Sequence, residues 1–304
     1  MTVTTGEVGP GGGPVAGGPP LLGALLARCE LPPAGEQVDL AVSGGPDSLA
    51  LLALAAARGC GITAVHVDHG LRPGSAQEAE VVATAAERFG AAFRSLRVDV
   101  APGPNLEARA RTARYEALPP AVLTGHTADD QAETVLLNLL RGAGLQGLAG
   151  YRPDRRPLRH LRRTETVALC AALGLEPVVD PSNDDPRFRR NRVRHQLLPL
   201  LDAVAERDVA PLLARQADLL RDDLALLDEL AATLDPTDAR GLSAAPPALA
   251  RRAVRAWLRT GSEQHPPDAA TVERVLAVAR GAVVATDVGG GRAVRRRAGR
   301  LRLG

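Results

Sequence analysis

The 304-residue chain contains no lysine: all 37 of its Lys/Arg-class residues are arginine. This excludes a Walker phosphate loop, which requires a lysine after its last glycine. Three cysteines, Cys29, Cys60 and Cys170, are scattered and form no CxxC pair. A disulfide framework, a cysteine-bound zinc site and a redox dithiol are therefore excluded, and reduced, mostly buried thiols are expected. Aromatic residues make up only 2% of the chain, which leaves few platforms for stacking nucleobases. No apolar run reaches membrane-spanning length. The first twenty residues are rich in Gly and Pro and lack a basic start, so they read as a flexible tail and not a signal peptide. A cytoplasmic protein without membrane association is expected.

Charge is present but unevenly placed. The net charge is only +2, yet eleven arginines and six acids lie between Tyr151 and Gln196, and six arginines with no acid follow Gly291. Asp202 to Ala250 carries ten acids and four arginines. A high-G+C coding bias explains arginine in place of lysine but not this clustering. Two basic segments on a near-neutral chain suit an anionic polymer held along one face.

The most informative stretch runs from Val38 to Ser48. A short apolar strand leads into Ser43-Gly44-Gly45-Pro46-Asp47-Ser48, and then into an apolar helix from Leu49. Gly44 and Gly45 allow a sharp turn and a close backbone approach to a ligand. The helix that follows aims its free N–H groups and positive dipole end at the same place, which makes an anion site. The pattern resembles the phosphate loop of the ATP-pyrophosphatase (PP-loop) family, which cleaves ATP between its α- and β-phosphates.

Around this loop strands and helices alternate. Strands are expected at Asp39–Val42, Ile62–Val67, Phe93–Val98 and Ala121–Thr124. Helices are expected at Leu21–Cys29, Ser48–Ala57, Ser75–Phe89, Asn105–Leu118 and Asp129–Leu140. The strands are short and apolar without strict alternation, as when helices cover both faces. The pattern predicts an α/β fold with a doubly wound parallel sheet, Rossmann-like, in which ligands sit at the carboxyl ends of strands. Beyond residue 200 the alternation stops. One long helix (Pro211–Leu234), a Pro/Thr/Ala linker, helices at Ala248–Arg259 and Thr271–Arg280, and a hairpin in Val283–Leu303 are expected. The organisation is a tail with a short helix (1–36), a catalytic α/β domain (37–200) and a smaller, mostly helical C-terminal region (201–304).

The polar clusters follow the strands. Asp68 and His69 are either turn formers or contacts to ribose or adenine. Asp130 and Glu133 lie three apart near a helix start, where carboxylates can hold Mg²⁺ or a substrate ammonium. The same spacing also fits a capping box with Asp130 as the cap. Arg111 and Arg114 share one side of a helix and can clamp a phosphate or remain a solvated face. Asn183 stands in an Asx-rich turn, and the run Arg189-Arg190-Asn191-Arg192-Val193-Arg194 after it suits phosphate-backbone contact.

In order along the chain, SGGPDS, VDHGLR, NLEARARTARYEAL, GHTADDQAETVLLNLLRGAGLQGLAG, RRPL with Arg163 and Glu165, and DPSNDDPRFRRNRVRHQLLPLL resemble the tRNA(Ile)-lysidine synthetase family. The likeness is close over Ala41–Leu201 and weaker in the terminal strands, and the additional C-terminal tRNA-binding domain of longer members is not expected. The resemblance implies a ligase that adenylates the C2 oxygen of the wobble cytidine of a CAU-anticodon tRNA, with L-lysine then displacing AMP. ATP and Mg²⁺ are the implied cofactors. Ser43, Gly44, Gly45, Pro46 and Ser48 would cradle phosphates, with Asp47 on the metal and Asp68 and His69 also on the nucleotide. Asp130 and Glu133 would take the metal or the lysine ammonium. Arg111 and Arg192 are the implied catalytic arginines, and His126, Arg114, Arg163, Asn183, Arg190, Asn191 and Arg194 the implied substrate or tRNA contacts. A homodimer is left open. The rivals are a PP-loop tRNA thiolase, for which the cysteines are poorly suited, and a tRNA-binding relative that has lost catalysis.

Overall fold

The computed structural model describes residues 20–68, 75–98, 109, 113, 116–151, 153–178, 181–259 and 267–304. Its sheet contains β1 (Gln37–Ala41), β2 (Gly61–Asp68), β3 (Ala92–Arg97) and β4 (Leu123–Thr124) in the order β3-β2-β1-β4. Every pairing is parallel, with Leu40 beside Ala64 on one side and beside Leu123 on the other. The chain steps outward from β1 through β2 to β3 and returns to place β4 on the opposite side of β1. The carboxyl ends of β1 and β4 therefore flank the topological switch point, where open α/β sheets bind ligands.

The longer helices among the described residues of this part are α1 (Pro20–Leu26), α2 (Pro46–Arg58), α3 (Ser75–Arg88), α4 (Ala128–Leu140) and α5 (Arg163–Ala172). Helix α2 is apolar on nearly every side and is buried from Ser48 to Ala55, as expected of a central helix. Its Leu49, Leu51, Leu52 and Leu54 pack with Leu40, Leu158, Leu161 and Leu169 in one core. After α5 come a helical turn (Arg189–Arg192), a π-helical stretch (Val193–Leu197), α6 (Leu198–Ala205) and α7 (Ala210–Ala232). Pro199 in the first turn of α6 has no N–H to return to the preceding turn, which favours the wider winding before it. The expected helix at Asn105–Leu118, with Arg111 and Arg114, lies largely outside the described residues, as does His69.

The chain divides into two compact units between Asp218 and Leu219. The second contains α8 (Ala239–Ala244), α9 (Pro247–Arg259), α10 (Ala269–Ala279) and strands β5 (Ala285–Gly289), β6 (Arg292–Arg297) and β7 (Arg300–Leu303). Val254, Leu258, Val272, Val275, Val294 and Leu301 form its core. Two expectations need correction here. The terminal hairpin is a three-stranded antiparallel sheet, because a second turn at Ala298-Gly299, with φ of 50° and 76°, follows the first. The linker holds a helix, α8, capped by Asp238 through the Arg240 N–H and anchored by buried Ala239 and Leu242. Of the three thiols only Cys170 is buried; Cys29 and Cys60 are half-buried.

Candidate active site

The glycine loop follows β1 at the switch point. Gly44 has φ 85°, a left-handed conformation that glycine tolerates best, and its carbonyl accepts the Val178 N–H at 3.0 Å. Ser48 ties the loop to the helix: its Oγ accepts the Ser43 N–H at 3.2 Å and donates to the Gly45 carbonyl at 2.8 Å. Gly45 and Pro46 open α2, a proline position that sacrifices no helical hydrogen bond. From the other side the loop after β4 comes into backbone contact. A Cβ on Gly125 would lie 2.6 Å from the Asp47 carbonyl oxygen. Backbone therefore meets backbone where the two strand ends converge.

Three carboxylates and three arginines interlock beside this point. Arg163, at the start of α5, reaches Asp47 Oδ2 with Nε at 3.2 Å, Glu133 Oε1 with Nη1 at 3.1 Å and Asp130 Oδ1 with Nη2 at 2.9 Å. Arg190 donates to Glu133 Oε2 at 2.5 Å, Asp130 Oδ1 at 2.9 Å and the Tyr151 hydroxyl at 3.2 Å. Arg194 donates to Glu133 Oε1 at 2.7 Å and Oε2 at 3.4 Å. The Thr166 hydroxyl donates to Asp47 Oδ1. A second layer joins Asp129 to the Arg162 side chain and to the Arg163 N–H.

A capping box is present, but its members differ from the expected ones. Thr127 is the cap of α4, and Asp130 Oδ2 accepts the Thr127 N–H at 2.9 Å. Asp130 thus stands three residues into the box, with its other oxygen directed to the arginines. Glu133 takes no part in capping and is fully buried.

The protonation preferences of the acids diverge. Burial pushes the Asp47 carboxyl above its ordinary range, assisted by Asp130 and opposed by Arg163 and Thr166. Burial alone would raise Asp130 as well, but Arg163, His126 and Arg190 hold it well below the usual carboxylate range. Asp129 is likewise lowered: burial opposes, and Arg162 and the Arg163 N–H outweigh it. For groups lowered on folding, stability is fully present above the unfolded value of about 3.9 and is lost as pH falls through the folded value. The Asp129 and Asp130 carboxylates should therefore remain ionised in the folded protein below about pH 4, while their stabilising contribution shrinks as pH falls past that unfolded value. A circular-dichroism acid titration of the Asp129→Asn variant against wild type checks this: the stability difference should be constant above that pH and shrink below it.

Other expected site residues are placed as follows. His126 Nδ1 pairs with Thr124 Oγ1 at 2.7 Å, and its ring lies 5.2 Å from that of Tyr151. Asp68 ends β2, half-buried. Asn191 is buried and donates to the Asp185 carbonyl at 2.9 Å, which fixes the turn. Asn183 is exposed, with its carbonyl 3.3 Å from His195 Nε2. Arg192 is exposed and its Nε lies 3.3 Å from Gln196 Oε1, away from the carboxylates that Arg190 and Arg194 reach. Residues that sequence reasoning missed are Gly125, Asp129, Tyr151, Arg162 and Thr166. Tyr151, one of two tyrosines in the chain, carried a signal in its rarity, whereas Thr166 carried none.

A family model described as the PP-loop domain matches residues 25–201, and one described as the TilS substrate binding domain matches residues 238–302. A tRNA(Ile)-lysidine synthase from Nocardia farcinica is 49% identical over 255 residues, covering 78% of this chain and 80% of that protein. One from Salinispora tropica is 44% identical over 313 residues, covering 90% and 92%. Among solved structures, a U34-tRNA thiolase from Methanococcus maripaludis superposes with a TM-score of 0.54 at 16% identity, covering 66% of this chain and 78% of that one, a likeness of fold alone. No helix among the described residues is long and apolar enough to cross a membrane. With both family models matched and full-length relatives this similar, the chain belongs to the tRNA(Ile)-lysidine synthase family of PP-loop ATP-dependent ligases.

Proposed function

We propose that this protein joins L-lysine to C2 of the wobble cytidine in a CAU-anticodon tRNA(Ile), in the cytoplasm. The supporting observation is the cluster of Asp47, Asp130 and Glu133 with Arg163, Arg190 and Arg194, set against the glycine loop at the switch point. In the first half-reaction the cytidine C2 oxygen attacks the α-phosphorus of ATP and pyrophosphate leaves. The loop N–H groups and the α2 dipole hold the phosphates, and the arginines neutralise charge that develops during transfer. In the second, the lysine side-chain amine attacks C2, loses a proton, and AMP leaves.

The donor set suits Mg²⁺. Asp47 Oδ2 and Asp130 Oδ1 meet at one cation, the Arg163 guanidinium, and a hard ion can use one or two carboxylates with phosphate oxygens completing its shell. Asp47 and Asp130 would hold the ion, which when bound would supply charge neutralisation for the departing pyrophosphate. Asp130 has one oxygen committed to Thr127 and the other held by Arg163 and Arg190, so a metal would reach Asp130 Oδ1 by displacing one of these guanidinium N–H groups. No protein nucleophile is required. Burial pushes the Cys170 thiol up to about 11, and such a thiol is a poor sulfur carrier, which weighs against a thiolase. Incubation with ATP, labelled lysine and CAU-anticodon tRNA should yield lysine-bearing tRNA with AMP and pyrophosphate in equal amounts. Pyrophosphate release without lysine incorporation would overturn this reading.

The second unit supplies a surface for the RNA. Arg295 pairs with Arg302 and Arg297 with Arg300 across β6 and β7, so four exposed arginines share one face of the sheet. Like charges directly opposite one another are unfavourable; Asp235 offsets Arg300, and phosphates would relieve the repulsion between Arg295 and Arg302. Arg296 differs: its Nη1 donates to the Ala279 carbonyl at 2.8 Å. Replacing Arg295, Arg297 and Arg302 by Ala should weaken binding about equally for cognate and non-cognate tRNA, since phosphate contacts carry no sequence information. The slope of log affinity against log salt should become shallower by up to about 0.9 per lost contact. Filter binding at several salt concentrations reads both, and an unchanged slope would remove this face from the interface.

A further inference from the structure

Glu133 is fully buried, whereas the side chains of Arg163, Arg190 and Arg194 are 21%, 27% and 22% exposed. Its two oxygens together accept four N–H groups, from Arg163 Nη1, Arg190 Nε and both Arg194 Nε and Nη2. A carboxylate offers about four lone-pair sites, so this one is saturated. An incoming ammonium could bond to it only by displacing a guanidinium. The arginines come from two segments distant in sequence, the start of α5 and the turn before α6. Among the described residues, Glu133 is the one side chain bonded to all three. Asp130 and Asp47 differ from it: Asp130 bonds two of the arginines, and Asp47 bonds Arg163 alone.

We infer that Glu133 is a positioning residue: a buried counter-ion that gathers three guanidiniums so that their outer N–H groups form one anion-binding face for the phosphate chain of ATP during adenylation, and not a ligand for the incoming amine. This rests on the lysidine-forming reading and assigns Glu133 to its first half-reaction. A guanidinium has five N–H donors in a fixed fork, and each of the three retains donors beyond those its carboxylate and tyrosine bonds use. Each guanidinium is held by its carboxylates yet remains partly exposed, an arrangement that stabilises transferring phosphate without reorganisation.

The two half-reactions separate this role from that of an amine ligand. In single-turnover reactions with ATP and tRNA but no lysine, Glu133→Gln should release pyrophosphate at least about tenfold more slowly than wild type. In the complete reaction kcat should fall, while KM for lysine changes by less than about threefold. Glu133→Asp, which keeps the charge on a shorter arm, should recover part of the rate. Normal lysine-free pyrophosphate release with a raised KM for lysine would overturn the inference and make Glu133 an amine ligand. Should Glu133→Gln fail to fold, Arg194→Gln replaces it, because all the Arg194 side-chain bonds described above go to Glu133. That variant should also slow adenylation and spare KM for lysine, and unaffected adenylation would again overturn the inference. Wild-type protein that released no pyrophosphate with ATP and tRNA would instead contradict the adenylation reading itself.

Discussion

Asp47→Asn should cut ATP- and tRNA-dependent pyrophosphate release by at least about 10²-fold and leave the protein folded. Asn preserves the shape and can still accept the Thr166 hydroxyl. It has no charge to offset Arg163 or to hold a divalent cation beside the phosphates. The residue opens α2 within the glycine loop and its side chain faces the carboxylate–arginine cluster, not the apolar core around Leu49 and Leu52. Circular dichroism verifies the fold, and a coupled pyrophosphate assay reads the loss; wild-type release by the variant would remove Asp47 from the reaction. The pH behaviour supplies a second readout. Because burial raises the Asp47 carboxyl, its folded value lies above the unfolded value of about 3.9. Its charge therefore disfavours the folded state, and protonation on acidification relieves that cost while removing the negative charge. Without a bound cation, Asp47→Asn should accordingly be more stable than wild type above about pH 3.9, by a margin that shrinks as acid protonates Asp47. A stability difference independent of pH, read by denaturation in metal-free buffer, would show that the buried charge carries no such cost.

Gly125→Ala should be nearly as damaging, and for a different reason. The added Cβ would sit 2.6 Å from the Asp47 carbonyl oxygen and 3.0 Å from the Ser48 nitrogen. Both are backbone atoms of the first turn of α2, which no rotamer change can move. Either the loop after β4 or the glycine loop must shift. Overpacking of this kind costs about 1–3 kcal/mol, and a displacement of about 1 Å at a reacting centre can cost about 10²-fold in rate. Thermal denaturation should show a lowered midpoint, and nucleotide binding measured by calorimetry should weaken. Gly144→Ala is the control, since a Cβ there meets nothing within 4 Å; equal behaviour of the two variants would refute the close-approach argument.

Much of the fold was legible because local chemistry specifies it. The glycine pair before Pro46 and the apolar run after it require a strand, a sharp turn and a buried helix. Four short apolar strands among helices imply a parallel sheet, and the motif order from SGGPDS to RNRVRH identified the family. The terminal sheet was only partly legible, since Ala298-Gly299 lies among arginines and does not stand out as a turn. Likewise α8 is too short, at six residues, to carry a periodic signal.

The site divides along the same line. That Asp47, Asp130 and Glu133 serve chemistry could be read from their places beside strand ends. Their different environments could not, because these depend on arginines 30 to 116 residues away in sequence. Among Arg190, Arg192 and Arg194, an ordinary helical reading already puts Arg190 and Arg194 (i, i+4) on one face and Arg192 on the opposite one. The folded chain keeps that division through a helical turn and a π-helical stretch, and only its tertiary placement decides that the Arg190–Arg194 side is the one that meets the carboxylates. Short-range propensity and hydrophobic period are properties of neighbouring residues and survive in the sequence. Charge pairing between distant segments depends on where the folded backbone carries each side chain, and a shift of one position there exchanges a buried partner for a solvated one.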